Sequence, residues 1–115
     1  MNSKDIYVRF LTLLHTLQAK ELGEQLDSTA EKLLEMITIQ YGLEQTLTVT
    51  ECMDLPTIAS PATIHRKLDE LRLSGWIDFT YEGSNRRTKY LVPSAKANKY
   101  FDKVSKLMSK ALANQ

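Results

Sequence analysis

Cysteine is nearly absent from this sequence: Cys52 stands alone among 115 residues. An intrachain disulfide is thereby excluded, and a reducing cytosol, hence a cytoplasmic location, is expected. Histidine is scarce too, with only His15 and His65. Two distant histidines and one cysteine offer no zinc-ligand spacing, so no metal and no other cofactor is expected. No stretch approaches the roughly 18 apolar residues that cross a bilayer, so no membrane partner is expected. Lys4 and Asp5 precede mixed amphipathic sequence rather than the apolar segment of a signal peptide. Neither a glycine-rich phosphate loop nor a nucleophile elbow occurs. Asp69 and Glu70 are adjacent and would point roughly 100° apart on a helix, which is no paired carboxylate. An enzyme is not expected.

The chain is long enough for one modest core but not for a second, so residues 1–115 are read as a single domain. Charge is unevenly spread along it. Residues 1–55 hold 4 Lys/Arg against 9 Asp/Glu, while residues 56–115 hold 11 Lys/Arg against 5 Asp/Glu. A net charge of +1 therefore conceals an acidic half and a basic half, and only the second suits a polyanion.

Hydrophobic spacing predicts a first helix over residues 3–22, capped by Ser3, with Ile6, Phe10, Leu13, Leu14 and Leu17 on its apolar face and Gly23 ending it. His15 lies beside that face as a packing or interface residue. A second helix starts at Asp27–Ser28, where Ser28 and Glu31 have capping-box spacing. It carries Ala30, Leu33, Leu34, Ile37 and Ile39 and stops at Tyr41–Gly42. Residues 45–49 suit a single edge strand, and Thr50–Leu55 a helical turn broken by Pro56–Thr57. Ser60 and Pro61 then give an N-cap and an N1 proline, with Ile64, Leu68 and Leu71 turned inward and Gly75 as a left-handed stop. From Trp76 to Tyr81 the pattern alternates, with Ile77, Phe79 and Tyr81 on one side. Residues 82–88 form a turn around Gly83, Ser84 and Asn85, and Lys89–Val92 return as a strand. Pro93–Ser94 open a last helix with the stripe Tyr100, Phe101, Val104, Leu107, Met108, Ala111 and Leu112. The expected order is α-α-β-α-α-β-β-α, a mainly α fold with a small β-hairpin.

A short capped helix followed directly by a hairpin with arginines at its tip outlines a winged helix-turn-helix. With Ile64, Leu68 and Leu71 inward, Ala62, Thr63, His65, Arg66 and Lys67 occupy the open and flanking sides of the first two turns. That end of a recognition helix meets base edges in the major groove. Arg66 suits a bidentate contact to guanine, and Thr63 or Ala62 a thymine methyl. Ser60 and Lys67 are placed for phosphates, and His65 is either a DNA contact or an ordinary exposed histidine. Arg86 and Arg87 suit a narrow minor groove, with Lys89 adding a phosphate contact. Cys52 reads as a small buried hydrophobe.

These residues carry a resemblance. Residues 47–101 resemble the MarR-type winged helix-turn-helix regulators. That family's recognition pattern, Ser-Pro-Ser-Thr-Val-Ser-Arg-Leu-Val-Asp-Arg-Leu, meets Ser60-Pro61-Ala62-Thr63-Ile64-His65-Arg66-Lys67-Leu68-Asp69-Glu70-Leu71. Its wing pattern, Asp-Arg-Arg through Leu-Thr-x-x-Gly, meets Asn85-Arg86-Arg87 through Pro93-Ser94-Ala95-Lys96-Ala97 without a gap. The resemblance implies that Arg87 is the wing arginine, that Asn85 replaces an aspartate able to orient it, and that Ala97 replaces a glycine. It also implies pairing of the terminal helices across a two-fold axis. Residues 1–42 and 93–115 are accordingly read as dimerisation elements and 45–92 as the DNA-binding lobe. The dimer residues are then Ile6, Phe10, Leu13, Tyr100, Val104, Leu107, Met108 and Leu112. The resemblance admits a small aromatic effector, which Phe10, Met36, Tyr41 and Met53 could line, but each is better explained as core and no ligand is expected.

The expected function is sequence-specific double-stranded DNA binding by a homodimeric transcriptional regulator, acting as a repressor. Two alternatives stay open: a winged-helix protein-interaction module, and a plasmid- or phage-type DNA-binding factor acting in replication or partition.

Overall fold

In the computed structural model the described residues are 3–22, 26–55 and 58–113. The Ser3 side chain, Gly23 and Pro56–Thr57, which the sequence suggests as a cap, a stop and a break, lie outside them. The described elements run α1 (Ser3–Glu21), α2 (Ser28–Gly42), α3 (Val49–Met53), α4 (Pro61–Leu73), β1 (Ile77–Glu82), β2 (Asn85–Pro93) and α5 (Ala95–Ala113). They group into two compact units, residues 1–25 with 98–115, and residues 26–97. Among the described residues no helix is long and apolar enough to cross a membrane.

The first unit pairs α1 with the distal part of α5. Arg9 Nη1 donates to the carbonyl of Ala111 at 3.2 Å, and Lys103 is ion-paired with Glu21. As α1 advances from 9 to 21 its partners on α5 step back from 111 to 103, so the two helices are antiparallel. Leu22, Tyr100 and Ala111 are buried here. Tyr7, Val8, Met108 and Leu112, by contrast, are each at least half exposed. His15 is exposed as well, so it is not a core packing residue of this chain.

In the second unit, α2 packs against α4 and β2, α3 against α4 and β2, and α4 against β1. Ala30, Leu33, Leu34, Ile37, Cys52, Ile64, Leu68, Leu71, Trp76, Ile77 and Leu91 form the core, as hydrophobic spacing predicts for both long helices. Helix α2 thus lies in the same compact unit as α3, α4 and the hairpin. Its cap differs from the expected one. Asp27, not Ser28, is the N-cap, its carboxylate accepting the Ala30 amide at 2.8 Å, and Ile39 points outward at 54% exposure. The capping box lies instead at α3, where Thr48 accepts from the Glu51 amide and Glu51 accepts from the Thr48 amide.

The expected edge strand over 45–49 shrinks to a single bridge between Thr48 and Tyr90, supported by the Leu91 amide donating to the Leu47 carbonyl at 2.8 Å. The ladder stops there because Thr48 already turns the chain into α3. Strands β1 and β2 pair antiparallel with Ile77 opposite Pro93 and Phe79 opposite Leu91. Ile77, Phe79 and Tyr81 do face one side, alternating with exposed Asp78, Thr80 and Glu82. The turn is tighter than expected. Only Gly83 and Ser84 separate Glu82 from its partner Asn85, and Gly83 takes φ 55° at the first central position, where a type II′ hairpin needs it.

The end of α4 and the start of α5 are joined through small groups. Gly75, at φ 83°, lets its amide reach the Arg72 carbonyl and the Trp76 amide reach that of Leu71, a Schellman stop. Ser94 then donates to the Gly75 carbonyl at 2.6 Å and accepts from the Ala97 amide at 3.1 Å, capping α5. Ala97 is fully buried, so the position admits only a small residue.

Candidate nucleic-acid interface

Helix α4 starts where the sequence predicts it. Ser60 is its N-cap, accepting the Thr63 amide at 3.3 Å and donating to Thr63 Oγ1 at 3.0 Å, and Pro61 opens the first turn. Ser60 and Thr63 are therefore brought together, with Ala62 exposed between them. The inward turn of Ile64, Leu68 and Leu71 leaves His65 and Arg66 exposed on the next turn. His65 Nδ1 lies 3.7 Å from Asp69 Oδ2. Arg66 is exposed and makes no hydrogen bond or ion pair among the described residues. A guanidinium left unengaged on an otherwise well-bonded helix has its donors available to a ligand.

Lys67, expected as a phosphate contact, is engaged within the chain. Its side chain retains 14% exposure, and its ammonium is bonded to Asp27 and, at 3.1 Å, to Glu70. Both partners are the protein's own carboxylates.

On the hairpin, Asn85, Arg86 and Arg87 open strand β2 rather than sitting in a loop. Asn85 Oδ1 accepts the backbone amide of Arg87 at 2.9 Å, so it shapes the start of the strand and not the guanidinium. Arg86 lies over the ring of Tyr81 at 4.8 Å. Arg87 and Lys89 border a notch of about 430 Å³ with Thr48, Val49, Thr50 and Thr88.

Helix and hairpin meet at a ring that the sequence does not single out. Phe79 on β1 has Arg72 of α4 over it at 5.4 Å and Lys89 of β2 over it at 5.2 Å. A similar contact places Lys96 4.3 Å from Trp76 while its ammonium donates to the Ser74 carbonyl. Cationic heads held over aromatic faces keep their charge in solvent while their stems cover apolar surface. The basic character of Arg72 is visible in sequence; that it shares Phe79 with Lys89 requires the fold.

A second, broader depression of about 750 Å³ in this unit is lined by Tyr41, Glu44, Gln45, Thr46, Glu51, Thr80, Tyr81, Glu82, Tyr90 and Val92. Glu82, followed by burial, raises the Tyr90 hydroxyl above its ordinary pKa, with Glu51 adding to the effect. Three carboxylates and no lysine or arginine make this surface one that repels phosphate. Of the residues considered for an effector, Tyr41 lines this wall, while Met53 borders a different cleft with Asp54, Ala59, Ser60 and Pro61. Burial pushes the Cys52 thiol up to about 11, so the thiolate that a redox sensor needs is not formed at neutral pH. Among the described residues no group of His, Cys, Asp and Glu could hold a metal ion.

The second unit, a capped helix-turn-helix followed by a two-stranded wing, has its counterpart in solved MarR-like regulators, so the likeness is to their winged-helix fold. The chain is similar in structure to a transcriptional regulator from Thermotoga maritima, with TM-score 0.63 and 16% identity over 95% of this chain and 68% of the other. A MarR-like regulator from the same organism matches at TM-score 0.63 and 14% identity, covering 99% of this chain and 80% of that one. MarR itself matches at TM-score 0.56 and 20% identity, covering 96% and 78%. At these identities the likeness is one of fold. No protein-family model and no curated protein matches the chain.

Proposed function

We propose that the protein is a homodimeric transcriptional regulator that binds double-stranded DNA, places the start of α4 in the major groove and the β1–β2 wing in the minor groove, and represses by occlusion. The observation that supports this best is the pairing of an exposed, unengaged Arg66 on a proline-started helix with an arginine-bearing hairpin joined to that helix through Phe79. Solved structures with this fold include proteins described as transcriptional regulators. Ala62, Thr63 and Arg66 are the base-reading candidates, and Ser60 and His65 flank them. Arg86, Arg87 and Lys89 supply the wing's charge, while Asn85 shapes it. Lys67 is left out of this contact set.

Arg66→Ala tests the reading. It is expected to weaken binding to a preferred duplex by about 1 to 3 kcal/mol and to relax sequence preference, measured by fluorescence anisotropy on preferred and random duplexes. Arg87→Ala is expected to weaken binding to both with little change in preference, since a minor-groove arginine responds to groove width and potential. Equal losses on both duplexes for Arg66→Ala would assign it to the backbone instead.

The dimer part of the proposal rests on the first unit. Tyr7, Val8, Met108 and Leu112 leave apolar surface uncovered beside half-buried Ile6, Phe10, Leu13, Val104 and Leu107, and a second copy would bury it. Tyr100 is already buried within the chain and contributes as support rather than contact. Light scattering after size exclusion is expected to give about twice the 13.1 kDa chain mass at micromolar concentration. A clean monomer would remove the dimer. Two recognition helices in such a dimer would read half-sites one helical turn apart, roughly 34 to 36 Å.

A further inference from the structure

Lys67 follows His65 and Arg66 on α4, yet it turns back onto the protein. Its side chain is 14% exposed where that of His65 is 57% exposed. The acceptor it reaches is an unusual one, because Asp27 is already employed. One carboxylate oxygen of Asp27 caps α2 through the Ala30 amide, and the other takes the Lys67 ammonium. Glu70, one turn along α4, holds the same ammonium at 3.1 Å. A single carboxylate thus ties the first turn of α2 to the turn of α4 that carries Arg66. The hydrogen bond from Lys67 holds the Asp27 carboxyl below its ordinary pKa, and those to Asp27 and Glu70 hold Lys67 above its own. Both ends therefore remain charged at neutral pH.

At its far end α4 is held by Arg72 over Phe79 and by Lys96 on the Ser74 carbonyl, but the turn that carries Arg66 is otherwise held by apolar contact. Ile64, Leu68 and Leu71 fix which face turns inward, but apolar burial has no direction and resists a small roll of the helix only weakly. A charge-assisted hydrogen bond has direction. The MarR-type recognition pattern has leucine where this chain has Lys67 and arginine where it has Glu70, so the tether is built from this chain's own departures from that pattern.

We propose that Lys67 is a positioning residue: with Asp27 it fixes the rotation of α4 about its axis, so that Ala62, Thr63 and Arg66 meet base edges in register, and it makes no phosphate contact. This rests on the DNA-binding reading above.

The test uses the full chain and two duplexes, one carrying a sequence that the wild-type protein enriches from random DNA and the other its scramble. Anisotropy titrations run between about 50 and 200 mM salt. Asp27→Asn keeps a capping side chain but drops the charge. It is expected to lose roughly 2- to 5-fold affinity for the enriched duplex and none for the scramble, with an unchanged salt slope. Lys67→Met, which keeps the apolar stem, should behave alike, and the double variant should be no weaker than either single one. Loss of thermal stability with an unchanged ratio of the two affinities would mark a merely structural contact and overturn the proposal. So would equal losses on both duplexes with a salt slope flattened by about one, the mark of a phosphate ligand. A folded wild-type protein that binds neither duplex overturns the DNA reading, and this inference with it.

Discussion

Raising salt from about 50 to about 200 mM is expected to weaken DNA binding by on the order of 10³- to 10⁴-fold. Each phosphate neutralised by a lysine or arginine releases condensed counterions, and the logarithm of affinity falls with the logarithm of salt by about 0.9 per phosphate. The candidate surface offers Arg66, Arg86, Arg87 and Lys89 on each protomer, all exposed. Arg86 and Arg87 in the minor groove and Lys89 on the backbone each offset phosphate charge, which gives three; Arg66 makes four if it does not read a base. A dimer then neutralises roughly six to eight phosphates, and a fourfold rise in salt gives the stated loss. Lys67 is excluded from that sum because Asp27 and Glu70 already hold it. Titration at four salt concentrations reads the slope. A slope near zero with retained binding would mean that the arginines of the wing do not face phosphate.

Leu68→Ala is expected to cost about 2 to 5 kcal/mol of folding stability, measured as the shift in a urea midpoint at constant slope. Leu68 is 1% exposed on the face that α4 turns inward, so truncation removes apolar contact and leaves a cavity that backbone packing cannot fully close. Against a total of roughly 5 to 15 kcal/mol for a domain of ordinary stability, this is a large share. Leu73, five residues on, is 76% exposed, and Leu73→Ala should stay within about 0.5 kcal/mol. Similar costs at both positions would mean that α4 does not present Leu68 to the core.

The contrast between these two leucines also marks what a sequence can convey. Ile64, Leu68 and Leu71 recur at helical spacing behind Ser60 and Pro61, so both the start of α4 and its buried face are legible in the residues alone. The same holds for Ala30, Leu33, Leu34 and Ile37 on α2 and for the alternation along β1. Three features of the fold are read less well. Asp27 displaces Ser28 as a cap while also accepting Lys67 from forty residues away, and short-range spacing is silent about that second bond. Residues 45–49 are rich in strand formers, yet only Thr48 pairs, since its side chain commits the chain to α3. Arg86 and Arg87 read as loop residues because turn formers precede them, but a two-residue turn at Gly83–Ser84 draws them into β2. On the candidate surface, the sequence points to the exposed cations and not to the aromatic floor beneath them. Phe79 is an ordinary strand residue until Arg72 and Lys89 are folded over it.

The claim that α4 and the wing read a duplex is met most directly by sequencing what the full chain retains from sheared genomic DNA. The account predicts a small set of fragments that share a pseudo-palindromic site, with half-sites about one helical turn apart. Retained fragments with no common sequence, recovered in proportion to their length alone, would contradict it.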